Sequence, residues 1–321
     1  MRSVSVLLLS FCCQAFAADW QPYPADLPQF DYSDNRLQEF WPQLNQGPGL
    51  PFPDESALRA LLDKYPQLMN YSQDQARLPE AHPALKALLT DNLQPLAEAS
   101  QQVWRLHYEG HFQQAYELGR QLGPVGAIPA LYSKLMYAAL IVQDKDAKLA
   151  LFREAAAESE RLLPLAPDYA FAEFGLAYAH ARILELLDTS AATATGFLGD
   201  TQDAMAELQE RYPQQALYPA MLGGLHAGVV ERVGSFVGRI TYGSTETRAL
   251  EAFKRALELQ DKLPVIYNEY VNALARLDAD KYRDRMITLL QQCVTLPVLS
   301  AEEALNRQVC ADHLQQWQVA N

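Results

Sequence analysis

The sequence predicts an all-α protein built from stacked antiparallel helix hairpins. Three observations carry that expectation. Helix-period apolar stripes recur along the chain from Asp54 onward, separated by short breaker clusters, and no strand-period segment of length interrupts them. Prolines mark unit ends, with Pro95, Pro129, Pro167 and Pro264 separated by 34, 38 and 97 residues, the last interval being two lengthened units. Finally, small and aromatic residues alternate at helical spacing, as two helices need when they approach closely and fill the gap with one ring.

The stretch Ser244–Leu277 shows this most clearly. Ser244 is placed to cap a helix, with Glu246 in its first turn at the positive end of the dipole. Ala249, Phe253, Ala256 and Leu257 then form an apolar stripe. After Asp261, Lys262 and Pro264 a second stripe runs through Ile266, Tyr270, Ala273, Leu274 and Leu277. The order Ala-x3-Phe-x2-Ala, breaker, next helix resembles the tetratricopeptide (TPR) repeat, whose period is about 34 residues. Tyr108-Glu109-Gly110-His111-Phe112-x2-Ala115 resembles the turn of such a unit, and Leu165-Ala166-Pro167-Asp168-Tyr169-Ala170 its proline-marked end. The resemblance implies a TPR-like right-handed superhelix over residues 54–321.

Ahead of it, residues 18–53 hold Trp20, Tyr23, Phe30, Tyr32, Phe40, Trp41 and Phe52 among many prolines. Proline forbids a long helix and the aromatics argue against disorder. The expectation is an extended arm packed over the first helices, helical for a turn or two near Arg36–Phe40. Residues 1–17 read as a secretory signal: Arg2, an apolar run Val4–Cys13, and Ala15-Phe16-Ala17 as the cleavage site. Cys12 and Cys13 lie near the depth of a lipid-attachment cysteine, but Phe11 precedes them where a small residue is expected, so plain cleavage after Ala17 is preferred. A periplasmic or secreted location follows.

Further along, the expected elements are short helices at Asp54–Tyr65 and Pro83–Leu89 with a polar link between, and then longer ones. These are Leu93–Tyr108, one opening at Phe112, Ile128–Ile141, Ala147–Leu163, Tyr169–Leu187, Thr201–Tyr212, Leu217–Val230, Thr247–Leu259, Val265–Leu277, Lys281–Cys293 and Ala301–Trp317. Thr189–Gly199 reads as a small-residue loop. Ser300 and Glu303 form a capping box for the last helix.

Charge narrows the partners. A net −13 argues against nucleic acid and against anionic membrane surfaces, and no apolar run after the signal region is long enough to span a bilayer. No nucleophile–base motif, cysteine pair of metal-binding spacing or calcium loop is present, so neither catalysis, a metal nor a cofactor is expected. His107 and His111 are four apart, but Gly110 breaks the helix between them; two corner histidines are the simpler reading. His180 reads as a core or groove residue.

Candidate binding residues come from two places. The stretch Gly223–Gly243 holds six of the fifteen glycines, which suits a tight helix crossing followed by a long loop. The functional alternative is a loop lining the concave face, with Arg239 and Tyr242 holding an anion. Asn268, Glu269 and Asn272 sit on the first helix of a unit, the type that lines a TPR concave surface. Tyr178, with Glu173, and Tyr132, with Lys134, occupy comparable helices; for each of these candidates a solvated polar face is the plainer reading. Cys293 and Cys310 are the two cysteines beyond the signal region. In an oxidising compartment they invite a bridge, but Cys310 falls well inside the last helix, so the link Thr295–Leu299 would have to run back along it. Both readings stand.

The functional expectation is an exported scaffold that binds a protein or peptide partner of the cell envelope in its groove. The alternative comes from Ala252-Phe253-Lys254-Arg255-Ala256-Leu257, Asn268-Glu269-Tyr270 and Ala301-Glu302-Glu303-Ala304-Leu305-Asn306, which resemble the T component associated with TRAP transporters. That resemblance implies an accessory subunit of solute uptake, enclosing a small organic anion or partnering a solute-binding protein.

Overall fold

The computed structural model describes residues 20–46 and 49–319. The signal reading of residues 1–17, with Cys12 and Cys13, lies outside them. Among the described residues the chain is all-α, with sixteen helices and no strand.

Residues 20–35 run irregularly into α1 (Arg36–Leu44). This helix exceeds the expected turn or two and contains Pro42, because Leu37, Trp41 and Leu44 bury its face and outweigh the one backbone bond that proline removes. The segment ahead of it is pinned rather than loose. Trp20 stacks on Tyr137 at 4.2 Å, Glu109 accepts from the Tyr32 amide at 2.7 Å, and Arg105 donates to the Tyr32 carbonyl at 2.6 Å.

Next come α2 (Glu55–Lys64), capped by the Asp54 carboxylate, α3 (Pro66–Ala76) and α4 (Pro83–Lys86), which ends in a 3-10 turn. Helix α3 replaces the expected polar link. Its buried stripe is Leu68, Ser72 and Ala76, so only one large apolar residue advertised it.

The long helices then follow: α5 (Gln94–Tyr108), α6 (Phe112–Gln121), α7 (Gly123–Leu140), α8 (Lys145–Leu162) and α9 (Ala170–Leu186). From α5 to α9 each packs on its successor, and α5, α7 and α9 also pack on one another in turn. At the α6–α7 crossing Gly119 and Gly126 face each other so closely that a Cβ on either would lie about 2.5 Å from the other's carbonyl. Thr189–Thr195 forms a short helix, α10, capped by Asp188 and stopped by Gly196 at φ +74°, where a loop was expected.

After α11 (Phe197–Arg211) comes α12 (Leu217–Tyr242), two helical runs meeting at Gly234 that carry the glycine stretch up to its Gly243 cap, in place of a helix and long loop. It bends once, at Gly234 (φ +77°). The chain ends with α13 (Glu246–Leu259), α14 (Pro264–Asp278), α15 (Arg283–Cys293) and α16 (Ala301–Val319). Thr245 caps α13, while Ser244 is buried against His226 and Gln202.

Ala249, Phe253 and Ala256 are wholly buried, and Phe253 stacks on Tyr270 at 4.6 Å. Helix α16 then returns to α5 and α7. Tyr132 donates to the Glu302 carboxylate at 2.8 Å and Tyr32 donates to the Leu299 carbonyl. Ser300 caps the Glu303 amide, and Glu303 accepts from the Leu299 amide at 2.6 Å. The end of the array is thereby stitched to its beginning, and the meeting point is packed except for a void of about 30 Å³.

Cys293 and Cys310 are joined, with Cα atoms 6.3 Å apart. The link Val294–Ser300 does run back past the end of α15. Helix α16 therefore starts about 14 Å upstream of Cys310 and passes Cys293 only in its third turn.

Candidate functional site

The helix that most shapes the main cavity is α12. Gly224 and Gly228 lie one turn apart on it, and a Cβ at Gly224 would meet nothing within 4 Å. Both glycines leave space where a side chain would otherwise stand. That space is a cavity of about 740 Å³ bounded by α9, α10, α11, α12 and α14. Gly223, one position round the helix, does the opposite. A Cβ there would lie 2.6 Å from the Phe253 ring, so this glycine exists to let α13 close on α12. The glycine stretch is therefore partly structural and partly cavity-lining, residue by residue.

The walls are mostly apolar: Phe174, Ala181, Leu184, Leu198, Leu217, Met221, Leu225, Val229, Val265 and Ile266 among them. One side carries charge. Arg182 Nη1 lies 2.7 Å from Glu185 and its Nη2 bonds Glu269; Arg276 Nη1 lies 3.1 Å from Glu185 and its Nε 3.9 Å from Glu231. Arg232 Nη2 donates to the Leu184 and Glu185 carbonyls at the C-terminus of α9, at 2.6 and 3.4 Å. These carbonyls lack helical partners and form the negative end of the helix dipole, which suits a guanidinium.

Burial raises the Glu185 pKa, but Arg182 and Arg276 overcome it and hold the carboxyl below its usual value. Burial likewise works against the Arg182 charge, and Glu185 with Glu269 overrides it and keeps the guanidinium protonated. Tyr178, under the Arg182 guanidinium at 4.8 Å, is pushed up to about 12, chiefly by burial.

Of the sequence candidates, Tyr178, Tyr242 and Glu269 line this cavity. Arg239 is exposed on the last turns of α12 and does not. Asn268 and Asn272 face another way. Asn268 is buried toward α16, its Nδ2 3.5 Å from Asn306 Oδ1, and Asn272 is half-buried. The cavity takes the neighbouring face of α14, with Val265, Ile266, Glu269 and Arg276.

Lys134 is tied to Glu154 and Glu158 at 2.7 and 3.1 Å, Glu173 pairs with Arg211, and Tyr132 holds Glu302; all three join helices rather than face the cavity. His107 is buried 3.1 Å from Ser133 Oγ, and His180 is stacked on Phe197 at 3.8 Å. Among the described residues no three His, Cys, Asp or Glu side chains are grouped to hold a metal. Nor is any helix there long and apolar enough to cross a membrane.

Sequence reasoning missed Arg182, Glu185, Arg232 and Arg276. The available signal was Arg182 and Glu185, two charges one turn apart near the end of a mostly apolar run, residues 171–187, whose only other charged residue is Glu173. Charges on such a helix call for partners. No protein-family model matches the chain, and comparison with curated proteins gives no significant match.

Proposed function

We propose that this protein is an exported, TPR-like helical protein that holds a small, uncharged, largely apolar molecule in the cavity between α9 and α14. The observation that carries the reading is the pairing of charge within an apolar chamber of about 740 Å³. Three arginines reach its wall, and each is already engaged by a carboxylate or by helix-end carbonyls. An anionic ligand would have to break one of these pairs and leave its partner buried and unpaired, a cost of several kcal/mol. An uncharged apolar ligand loses nothing there and gains about 25 cal/mol for each Å² of apolar surface removed from water. The volume lies within the range of ordinary small-molecule sites.

This reading is the solute-binding alternative, with the anion replaced by a neutral molecule. Closure of the array by α16 weighs against an open peptide groove. The Cys293–Cys310 bridge suits an oxidising compartment outside the cytosol. A non-catalytic role fits a cavity wall whose three arginines are each engaged by carboxylates or helix-end carbonyls.

The test compares an uncharged fluorophore, N-phenyl-1-naphthylamine, with its sulfonated analogue 1-anilinonaphthalene-8-sulfonate. The neutral dye should saturate one site and bind at least tenfold more tightly. Preference for the sulfonate would overturn the reading.

A further inference from the structure

A second feature of α12 lies outside the cavity. Beyond the bend at Gly234, the segment Ser235–Tyr242 bears Phe236, Val237 and Ile240, which are 69%, 44% and 65% exposed. Its orientation is fixed. Gly238 is buried, and a Cβ there would sit 3.2 Å from the Ser244 carbonyl, so one face of the segment lies on the protein and the apolar trio faces outward. Val233 and Tyr242, at either end, line the cavity. The trio thus stands at the cavity's edge.

We propose that this segment docks on a lipid surface containing anionic headgroups and sets the cavity's edge against the membrane. Local charge selects this occupant. The outward segment 235–242 carries one arginine, the exposed Arg239, and no Asp or Glu, in a chain carrying 39 acidic residues. Apolar side chains beside an exposed Arg239 and an aromatic Tyr242 form the side-chain set of an interfacial helix. The net −13 of the whole chain opposes approach only weakly once salt screens charges beyond about 8 Å.

A second copy fits less well. A large aromatic side chain buries at most about 250 Å², so three side chains fall short of the ~800 Å² per partner of a stable interface. Purpose also points to lipid, and here the inference rests on the cavity reading: an apolar ligand partitions into bilayers, and a cavity edge held at the bilayer spares it passage through water.

The test is flotation of the full chain with vesicles of phosphatidylcholine containing one-third phosphatidylglycerol at an ionic strength of about 0.15 M, where the screening length is about 8 Å. Wild type should float. Phe236→Ser with Ile240→Ser should cut the bound fraction at least tenfold, and Arg239→Glu several-fold. None of these should alter N-phenyl-1-naphthylamine binding or the thermal midpoint. Wild type left at the bottom of the gradient, or a double variant that floats equally well, overturns the proposal. So does a dimer seen by sedimentation velocity that the double variant abolishes while wild type ignores vesicles. Dye binding without flotation removes this inference alone; flotation without dye binding removes the cavity reading alone.

Discussion

Gly223 and Gly224 are adjacent in one helix, yet alanine at each should move stability in opposite directions. In the interior of α12 either glycine costs about 0.5–1 kcal/mol relative to alanine, through backbone entropy. At Gly224 nothing stands within 4 Å of a new Cβ, so Gly224→Ala should recover that amount in full. At Gly223 the new Cβ would meet the Phe253 ring at 2.6 Å and the Ala249 carbonyl at 3.1 Å. The ring cannot retreat, because it is fully buried and stacked on Tyr270. Overpacking of this kind costs about 1–3 kcal/mol. Net of the propensity gain, Gly223→Ala should be destabilised by roughly 1–2 kcal/mol. Urea unfolding followed by circular dichroism reads both, with the slope unchanged if the two states keep their exposure. Equal effects of the same sign would refute the claim that one glycine closes α12 on α13 while its neighbour opens the cavity.

Three other outcomes follow from the same geometry. Reducing the Cys293–Cys310 bridge, which spans 17 residues, should lower stability by about 3 kcal/mol, measured as the urea midpoint with and without a thiol reductant. Burial pushes the Glu303 carboxyl up to about 7. The folded state therefore keeps a proton that the unfolded chain releases near 4.5, and stability falls as pH rises between those values. Glu303→Gln keeps an acceptor for the Leu299 amide; it should match wild type at pH 4.5 and exceed it by about 1–3 kcal/mol at pH 8, by thermal unfolding at both. Asn268→Ala should cost about 1–2 kcal/mol by leaving Asn306 without its side-chain partner, and should leave N-phenyl-1-naphthylamine affinity unchanged.

Most of the helices could be read from the sequence, because each carries a wide apolar stripe and a breaker. Ala249, Phe253 and Ala256 announced their helix through spacing alone. The elements that escaped did so for identifiable reasons. Helix α3 buries a serine and an alanine beside one leucine, so its stripe looked polar. Helix α1 keeps Pro42 because Trp41 is anchored, a tertiary effect no local pattern carries. The glycine stretch suggested a loop by composition, but Gly223, Gly224 and Gly228 sit on helix faces where a neighbour's ring or an empty chamber decides their use. The site was half legible. Tyr178, Tyr242 and Glu269 were marked because they sit on the lining helices, whereas Asn268 and Asn272 miss by one helical position. Arg239 looked like an anion ligand only while the bend at Gly234, which turns it outward, was hidden. The Arg182–Glu185 pair could be read from its spacing, but the Glu269 that also engages Arg182, and the Glu185 and Glu231 that engage Arg276, lie on helices far away in sequence, so no spacing could pair them.

Filling the chamber from inside tests the central claim most directly. Gly224→Phe places a ring where no neighbouring atom stands within 4 Å of its Cβ, so the fold should survive. Titration with N-phenyl-1-naphthylamine should then show the single saturable site of wild type weakened at least tenfold, with the circular dichroism spectrum unchanged. A folded variant that binds the dye as tightly as wild type would contradict the assignment of this cavity as the binding site.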